Sequence, residues 1–426
     1  MKKILYIVLD GVGDLPHPAL GGRTPLEAAN IPNMNSLAIR GKMGLVHTVK
    51  KGVAPESDVA VMSLLGYDAD KYYPGRGPLE AVGIGLEVND GDLVLRGNFA
   101  TGASGNAIID RRVGRTLKTE ESRALAESVS ESLKLVSTPV TFKFLSTIGY
   151  RNVLLIRRRS GSLSGNISNT DPAYDRISTY SIAKHEFEMR VCESEPLDKS
   201  EEARTAAALV NEFTEKSREI LESHPVNLRR VREGKLPANL VLFRDAGNTR
   251  PSLPSFNELY GVRFGCLAEL PVEEGIARLS GMEVSSVPLN EKTLREHYEI
   301  MEQLVPRTLE HNDGVYVHIK GPDEPAHDGL AEEKKKSIED IDEYFFAPLL
   351  NDIDLEETVI AITGDHSTPC ILKSHSADPV PLLILGPGIG SDNLSSFAEK
   401  ICRKGSIGTI SGPEIMPMLI KFAKTA

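Results

Sequence analysis

The stretch "VIAITGDHSTP" (359–369) runs from an uninterrupted apolar segment straight into an acid and a histidine, Asp365 and His366. Continuous hydrophobicity of this kind is typical of a strand buried on both faces, as in a parallel sheet covered by helices. An ionised carboxylate at the end of a buried strand is costly unless it has a partner. Two interpretations are open: Gly364 and Asp365 form an ordinary turn with a half-exposed histidine, or the pair binds a ligand.

The same pattern recurs in other stretches that end in polar or glycine-rich turns. They are "KILYIVLDGVGD" (3–14), "GVYVHIKGPDE" (314–324) and "VPLLILGPG" (380–388). Helical patterns separate them at 293–311 and 330–352, and the second has an apolar face at three- and four-residue steps. Strands that alternate with helices predict an α/β fold with a mainly parallel sheet covered by helices. The Lys334–Lys336 run of the second helix is expected to face solvent.

The middle of the chain differs from its two ends in hydrophobic pattern and composition. Residues 85–115 and 140–172 alternate more and are rich in Gly, Asn and Asp, which is typical of β-hairpins. A strong helical pattern follows at 199–224. Because 426 residues exceed the ~250–300 at which a single core stops growing, we expect two domains. The prediction is a core domain of 1–70 plus 250–426, interrupted by an inserted α+β domain of 71–249.

Composition argues against several classes of partner. The net charge is −11 and the pI is near 5.5. Phosphate backbones and anionic membranes attract clustered cations, so neither nucleic acid nor a membrane surface is an expected partner. No apolar run approaches the ~20 residues of a membrane span, and the four cysteines lack the C-x-x-C spacing of a zinc knuckle. We therefore expect a cytoplasmic protein.

Acids and histidines gather where the predicted strands end. The carboxyl ends of parallel strands meet at one edge of an α/β sheet, which is where such sheets bind ligands. Each residue alone is commonly a cap or a loop histidine, but carboxylates and neutral imidazoles together suit a pair of divalent metal ions. In "DEPAH" (323–327), Pro325 predicts a bent loop instead of a helical turn. The grouped residues are Asp10, Asp323, His327, Asp365, His366 and His375.

A nucleophile for such a site lies in "VAPESDVAVMSLLG" (53–66), where Ser57 begins a predicted helix. One interpretation is an ordinary helix N-cap, a position that serine favours. The other is a catalytic hydroxyl, because a helix N-terminus stabilises phosphate and a metal ion can ionise an alcohol. Two ions about 4 Å apart clamp the attacking and leaving oxygens of a phosphoryl displacement. Both interpretations of Ser57 stay open on the residues alone, and the second predicts metal-assisted phosphoryl transfer.

Motifs along the whole chain carry a family resemblance. They are "LDGVGD" (9–14), "GGRTPLEAANIPNMNSLA" (21–38), "APESDVAVMSLLGYD" (54–68), "HPVNLRRVREGKLPANLVLFRDAG" (224–247), "GPDEPAHDG" (321–329), "TGDHSTP" (363–369) and "HSADPVPLLILGPG" (375–388). Together they resemble the alkaline phosphatase superfamily and, within it, the archaeal type of cofactor-independent (2,3-bisphosphoglycerate-independent) phosphoglycerate mutases. Because the resemblance extends over essentially the whole chain, it is more specific than any one motif.

The resemblance implies an isomerase that interconverts 3-phosphoglycerate and 2-phosphoglycerate in glycolysis and gluconeogenesis. It implies one metal ion on Asp10, Ser57, Asp365 and His366, and another on Asp323, His327 and His375. Ser57 would attack the substrate phosphate and carry it as phosphoserine. Mn²⁺ is the expected metal, with Mg²⁺, Co²⁺ and Zn²⁺ as alternatives, and no 2,3-bisphosphoglycerate is expected to be needed. Phosphoglycerate is the expected partner, and the sequence does not indicate the oligomeric state.

A phosphoserine that meets water is a phosphatase intermediate, so a mutase must exclude water until its acceptor is aligned. The inserted domain is the expected lid, and it should supply arginines, whose forked donors match carboxylate and phosphate. The substrate-binding candidates are Arg111, Arg112, Arg115, Arg151, Asp171 and Arg244, with Asn227 and Lys320 in addition. Alternatives on the same core are a metal-dependent phosphomonoesterase, another phosphomutase, and a metal-binding protein without catalysis.

Overall fold

The computed structural model describes residues 1–177, 180–184, 186–287 and 293–425. The chain divides into two compact units, which are described separately. Unit 1 comprises Met1–Tyr73, Leu253–Glu269 and Ile276–Ala426, and unit 2 comprises Pro74–Ser252 and Leu270–Gly275. The domain limits of 1–70 plus 250–426 and 71–249 remain a prediction. They differ from the two compact units in that the predicted inserted domain did not include Leu270–Gly275.

Helices and strands alternate through most of the chain. The strands are β1 (Lys3–Leu9), β2 (Lys42–His47), β3 (Leu93–Gly102), β4 (Ile108–Asp110), β5 (Val140–Ser146), β6 (Arg151–Arg158), β7 (Tyr174–Ile177), β8 (Tyr180–Ala183), β9 (Leu240–Gly247), β10 (Phe264–Ala268), β11 (Glu283–Ser286), β12 (Gly314–Ile319), β13 (Thr358–Gly364), β14 (Val380–Leu385) and β15 (Gly408–Ser411). The α-helices are α1 (Pro25–Ala28), α2 (Pro32–Arg40), α3 (Ser57–Leu64), α4 (Ala69–Tyr72), α5 (Arg76–Gly83), α6 (Thr119–Ser132), α7 (Glu201–Glu222), α8 (Pro225–Arg232), α9 (Phe256–Tyr260), α10 (Pro271–Leu279), α11 (Leu294–His311), α12 (Asp323–Asp328), α13 (Ala331–Ile341), α14 (Ala347–Asp352), α15 (Glu399–Cys402) and α16 (Ile415–Thr425). A π-helical turn, Asp342–Phe346, joins α13 to α14.

The central sheet of unit 1 has the strand order β11-β10-β12-β1-β13-β14-β2-β15. Among these strands, β14 runs antiparallel to its neighbours β13 and β2, and the remaining pairs are parallel. Strands β12 and β13 are buried at every position, as their continuous apolar sequences predict. The prediction of an α/β fold with a mainly parallel sheet is confirmed.

The predicted helix at 330–352 packs its apolar face into the core of unit 1. That face consists of Ile338, Ile341, Phe345 and Leu349, each at most 1% exposed. Burying an apolar side chain of this size contributes about 1.5–3 kcal/mol. The expectation that Lys334–Lys336 faces solvent is correct for Lys336, which is 61% exposed, but it is wrong for Lys334, which is 0% exposed. Lys334 points inward because it lies one helical turn before Ile338 on the same face.

Unit 2 is built on an antiparallel sheet in the order β4-β3-β6-β5, in which β9 also pairs with β3. Helices α6 and α7 share its hydrophobic core, where the rings of Phe144 and Phe213 meet edge to face at 5.1 Å. Strands β7 and β8 form a separate hairpin. The predicted α+β character of this part of the chain is confirmed. Among the described residues, no helix combines the length and apolarity that crossing a bilayer requires.

Candidate metal centre

Neighbouring parallel strands of unit 1 end side by side. Leu9, at the end of β1, lies opposite Ile319 of β12 and Gly364 of β13. Asp10 and Asp365, the residues that follow β1 and β13, therefore leave the sheet next to each other, at the edge where α/β sheets bind ligands. The Asp365 carboxylate is fixed there by backbone N–H groups, because its Oδ1 accepts hydrogen bonds from the amides of residues 11 and 366.

Asp10, Ser57, Asp365 and His366 form one group. His366 Nε2 lies 3.4 Å from Asp10 Oδ1 and 3.2 Å from Asp365 Oδ2. Ser57 is the first residue of α3, and its Oγ lies 3.1 Å from the same nitrogen. The structure therefore brings these four side chains together, although Ser57 and His366 are 309 positions apart in the sequence.

Asp323, His327 and His375 form a second group, whose potential ligand atoms all lie within 4.8 Å of one another. His327 Nε2 is 3.4 Å from Asp323 Oδ2, and His375 Nε2 is 3.6 Å from Asp323 Oδ1. The bent loop expected from Pro325 is wrong, because this segment forms the short helix α12. Pro325 is tolerated as its third residue, where an N–H would have no helical acceptor. The helix places Asp323 and His327 one turn apart on one face.

The two groups adjoin each other through His366, His375 and Thr368. The rings of His366 and His375 stack with their centroids 3.7 Å apart. Thr368 donates its hydroxyl proton to Asp323 Oδ1 at 2.7 Å and lies 2.9 Å from His366 Nδ1. Since its single proton goes to Asp323, the hydroxyl accepts the proton of His366 Nδ1. The Nε2 lone pair of His366 therefore faces the carboxylates of the first group.

The other histidines of the site are oriented in the same way. His375 Nδ1 lies 2.8 Å from Pro55 O, and His327 Nδ1 lies 3.1 Å from Lys373 O. A carbonyl oxygen can only accept a hydrogen bond, so the neutral rings carry their proton on Nδ1 and present an Nε2 lone pair to Asp323. In metal-ligating histidines the N–H of the second ring nitrogen commonly donates a hydrogen bond to a carbonyl oxygen in this manner. The donor set therefore fits a divalent cation.

Buried carboxylate oxygens support the same fit. Asp10 Oδ1 and Asp365 Oδ2 are buried and accept no hydrogen bond within the described part of the chain. Both face the acceptor lone pair of His366 Nε2, which is unfavourable unless a cation lies among them. Burial raises the pKa of Asp10 to about 8, although the charge of Lys320 opposes this. At Asp365 burial also acts to raise the pKa, but the neighbouring His366 and His318 outweigh it and hold the pKa far below its ordinary value.

The histidines differ in their affinity for protons. Burial lowers the pKa of His366 to about 3, so its ring is neutral at pH 7, as a metal ligand must be. Burial acts in the same direction at His375, but its hydrogen bond with Asp323 and the charge of Glu56 outweigh burial and raise its pKa to about 10. At Asp323, burial is outweighed by the hydrogen bonds with His327 and His375, and the pKa lies well below its usual range. A metal ion at the second group therefore competes with a proton on His375.

Sequence reasoning did not include His318 and considered Lys320 only as a substrate-facing cation. His318 Nε2 lies 3.4 Å from Asp365 Oδ2, with both side chains fully buried, and it forms a third group of potential ligands with Asp10 and Asp365. Lys320 Nζ lies 3.1 Å from Asp10 Oδ2. A histidine inside the apolar run "VYVHI" looks like a core residue. Its position near the end of a central strand could nevertheless have identified it as a candidate site residue.

Unit 2 contains a buried arginine cluster of its own. Arg96 of β3 lies opposite Arg244 of β9, and like charges across a sheet are destabilising unless acids compensate them. Glu80 compensates part of the charge, because its Oε1 lies 2.8 Å from Arg76 Nε and 3.5 Å from Arg96 Nε. The charges of Arg96 and Arg76 outweigh burial and lower the pKa of Glu80. Neither Arg76 nor Arg96 was among the predicted site residues, and no local motif distinguishes them.

Several predicted substrate-binding arginines of unit 2 lie near enough to Tyr150 for their charges to affect it. Burial would raise the pKa of Tyr150, but the positive charges of Arg151, Arg112, Arg96 and Arg115 outweigh it and lower that pKa. Arg151 begins β6, and its guanidinium lies 4.9 Å from the ring centroid of Tyr150. Arg112 and Arg115 flank the tight turn that follows β4. The charges of these side chains therefore act together on Tyr150 within unit 2.

Arg111 and Asp171 form a bidentate pair, in which Arg111 Nε and Nη2 each donate to an Asp171 oxygen at 2.7 Å. The structure thus places Asp171 against an arginine, and its contact with a glycerate hydroxyl stays a prediction. Asn227 does not fit a substrate role, because its amide hydrogen-bonds to the backbone of Leu221 and Ala238 and it is 1% exposed. It fastens the end of α7 and the start of α8 to the segment before β9.

Comparison with known proteins reveals relatives along the whole chain. The profile of a family described as 2,3-bisphosphoglycerate-independent phosphoglycerate mutase matches residues 38–227. A protein of that name from Aeropyrum pernix is 48% identical over 414 residues, which cover 96% of each chain. Another from Thermococcus kodakarensis is 41% identical over 424 residues, which cover 98% of this chain and 97% of the relative.

Solved structures show the same similarity. A protein from Pyrococcus horikoshii is 32% identical with a TM-score of 0.77, covering 100% of this chain and 98% of the other. A cofactor-independent phosphoglycerate mutase from Thermoplasma acidophilum is 34% identical with a TM-score of 0.62, covering 99% of this chain and 100% of the other. The similarity therefore includes the residues of both units.

Proposed function

The chain belongs to the 2,3-bisphosphoglycerate-independent phosphoglycerate mutases, enzymes that interconvert 2- and 3-phosphoglycerate, and from this premise we propose how its residues carry out the reaction. The resemblance inferred from the motifs is thereby confirmed. In the proposal, Ser57 is the nucleophile and carries the phosphoryl group between the two hydroxyls of glycerate. The observation that supports it best is the position of Ser57 Oγ, at the N-terminus of α3 and 3.1 Å from His366 Nε2.

The reaction has two half-steps that mirror each other. Ser57 Oγ attacks the phosphorus of 3-phosphoglycerate, so that a bond forms from Oγ to phosphorus and the bond from phosphorus to the glycerate 3-oxygen breaks. The serine loses its proton and the 3-oxygen gains one. The glycerate 2-hydroxyl then loses its proton and its oxygen attacks the phosphorus of phosphoserine. A bond forms from the 2-oxygen to phosphorus, the bond from phosphorus to Oγ breaks, and Ser57 regains its proton. The phosphoryl group returns to a glycerate, and no 2,3-bisphosphoglycerate is required.

We propose that two divalent ions bind, one at each of the two groups of side chains. The first ion would be held by Asp10, Ser57, Asp365 and His366, and the second by Asp323, His327 and His375. Bound ions would neutralise charge on the transferred group and make the serine hydroxyl more acidic. Mixed imidazole and carboxylate donors favour Mn²⁺ over Mg²⁺, with Co²⁺ and Zn²⁺ as alternatives.

Groups near Ser57 would assist without changing covalently. The first-turn N–H groups of α3 carry partial positive charge and suit a phosphate at this place. Lys320 places a cation 3.1 Å from Asp10 Oδ2, where it offsets some of the negative charge that Asp10 and Asp365 bring into the site. Thr368 holds the ring of His366 with its Nε2 toward Ser57.

We further propose that the inserted domain, 71–249, is the lid that binds substrate and excludes water. The support is its own chemistry: a region rich in arginines suits a ligand that bears both a carboxylate and a phosphate. The Arg111–Asp171 pair fixes one guanidinium in place. The proposed substrate-binding residues are Arg111, Arg112, Arg115, Arg151, Asp171 and Arg244. A cytoplasmic location also stays a proposal.

The test separates a mutase from a leaky phosphatase on the same core. Purified enzyme is freed of metal, supplied with Mn²⁺ and 3-phosphoglycerate without 2,3-bisphosphoglycerate, and coupled to enolase, while free phosphate is measured in parallel. We expect 2-phosphoglycerate to form, detected as the phosphoenolpyruvate that enolase makes from it, with little phosphate release. Release of phosphate without 2-phosphoglycerate would identify a metal-dependent phosphomonoesterase and contradict the proposed mechanism. Acid quenching during turnover should yield a phosphorylated peptide that contains Ser57.

A further inference from the structure

Lys334 is a buried cation that the proposed reaction leaves unexplained. Its side chain is 0% exposed, as is that of Asp14, whose Oδ2 lies 2.9 Å from Lys334 Nζ. The same Nζ donates to Gly13 O and to Thr368 O, each at 3.0 Å. An ammonium group has three protons to donate, and here each has an acceptor. Burying a charge is costly unless it is paired and fully hydrogen-bonded, and Lys334 meets both conditions.

The acceptors of Lys334 lie in the two loops that carry metal-site residues. Gly13 and Asp14 belong to the loop after β1, just beyond Asp10. Thr368 belongs to the loop after β13, just beyond His366. These loops also bond to each other, because the N–H of Thr368 donates to Gly13 O at 2.9 Å. One ammonium therefore lies at the junction of the segments that deliver the first metal group.

The helix of Lys334 connects the same junction to the second metal group. Lys334 lies on α13, which directly follows α12 with Asp323 and His327. Thr368, whose carbonyl oxygen accepts from Lys334, donates its hydroxyl to Asp323 Oδ1 at 2.7 Å. Lys334 thus contacts the two loops of the first group directly and is linked to Asp323 of the second group through Thr368.

Asp14 reinforces this arrangement. Its carboxylate accepts the N–H of Leu15 at 2.7 Å and that of Cys370 at 3.1 Å, in addition to the ammonium. The N–H of Cys370 belongs to the loop after β13, so Asp14 binds the second loop directly. Lys335 and Lys336, the next two residues of the helix, contrast with Lys334: they are 29% and 61% exposed and pair with acids of their own helix.

We propose that Lys334 is a positioning residue of the metal centre, whose ammonium holds the loops after β1 and β13 against α12–α13 in the geometry that the metal ligands need. The proposal rests on the metal groups of the proposed function. Its competitor is a lysine that only stabilises the fold. The two roles differ in their consequences, because a positioning residue alters metal affinity in a folded protein, whereas a purely stabilising residue alters the free energy of unfolding alone.

The variants are chosen to separate these roles. Lys334→Met keeps the length of the side chain but removes the charge and its donors, and it leaves the Asp14 carboxylate buried without its cation. Lys334→Met combined with Asp14→Asn leaves neither charge, so it should recover part of the lost stability. Lys336→Met is the matched control, because it changes the same residue type on the same helix where the side chain faces solvent.

Each protein is stripped of metal and titrated with Mn²⁺ by calorimetry, and unfolding is followed separately in EDTA. We expect the double variant to be folded by circular dichroism but to bind Mn²⁺ at least about 10-fold more weakly than the wild type, the usual effect of removing a group that orients ligands. Its kcat should fall at saturating Mn²⁺ while its KM for 3-phosphoglycerate stays unchanged. Lys336→Met should match the wild type in every measurement. A folded double variant with wild-type Mn²⁺ affinity would overturn the proposal.

Hydrogen exchange of the wild type tests the part of the inference that places the loops in order before metal binds. If Lys334 preorganises the loops, the amides of Leu15, Thr368 and Cys370 should exchange slowly even in EDTA, because their acceptors are Asp14 and Gly13 and not a metal ion. Exchange at the rate of an unfolded chain in EDTA would refute the inference. A wild type that binds no Mn²⁺ at all would contradict the proposed function instead, so the two failures are distinguishable.

Discussion

Replacing Ser57 with alanine should stop the reaction and spare the fold, because the two depend on the hydroxyl to different degrees. In the structure Ser57 is half-buried, and within the described part of the chain its Oγ has one hydrogen-bond partner, His366 Nε2 at 3.1 Å. A typical hydrogen bond contributes about 0.5–1.5 kcal/mol net to stability. Alanine leaves no buried donor behind and is compatible with a helix. The free energy of unfolding should therefore fall by about 0.5–1.5 kcal/mol.

The effect on the reaction is larger, because no other group can take the place of the attacking oxygen. Deleting a nucleophile that forms the covalent intermediate commonly costs a factor of about 10⁴ or more in kcat. This factor corresponds to about 5 kcal/mol of transition-state free energy. The loss of transition-state free energy thus exceeds the loss of unfolding free energy at least about threefold. The experiment has to resolve this difference.

The assay combines kcat from the enolase-coupled reaction, unfolding in urea, and bound Mn²⁺ measured after gel filtration. Ser63→Ala is the matched control, since Ser63 lies on the same helix, α3, in its last turn; it should keep the wild-type kcat. Retention of more than about a hundredth of the wild-type kcat by Ser57→Ala would refute the assignment of the nucleophile. A variant that is inactive because it has unfolded would be recognised by its urea transition.

The remaining predictions concern metal, an ion pair and pH. Removal of divalent ions by EDTA should abolish activity, and Mn²⁺ at 100 times its Kd should restore it and add about 2.7 kcal/mol of stability; an unchanged Tm would contradict bound metal. Asp171→Asn should cost about 3 kcal/mol in urea unfolding, because it leaves Arg111 without its bidentate partner, whereas Asp175→Asn, at an exposed site, should cost little. Burial raises the pKa of Glu399 from 4.5 to about 7, so its contribution to stability is full below pH 4.5 and is lost as pH rises through about 7. Between about pH 5 and 8, the free energy of unfolding of the wild type should therefore fall by about 2 kcal/mol more than that of Glu399→Gln. An equal dependence of the two unfolding free energies on pH would exclude this.

What could be predicted from the sequence was the part that depends on near neighbours in the chain. Continuous apolar runs identified β1, β12 and β13, and the acid that follows β1 and β13 could be recognised at once. The topology rule for parallel strands then indicated that Asp10 and Asp365 would meet. The apolar face at Ile338 and Ile341 followed from helical periodicity alone. These inferences succeed because burial on both faces of a sheet or along one face of a helix is written into local residue order.

Only the tertiary structure decided how each group is used. Lys334 belongs to a charged run that looks solvated, yet it is buried because acceptors from two loops lie above its helix. Thr368 determines which nitrogen of His366 faces the site, and no local pattern distinguishes it from other threonines. Pro325 was expected to prevent a helix, but a first-turn position removes the conflict. The physical reason is common to all of them: the cost of a buried charge or an unpaired donor depends on atoms supplied by distant segments, which the order of residues does not reveal.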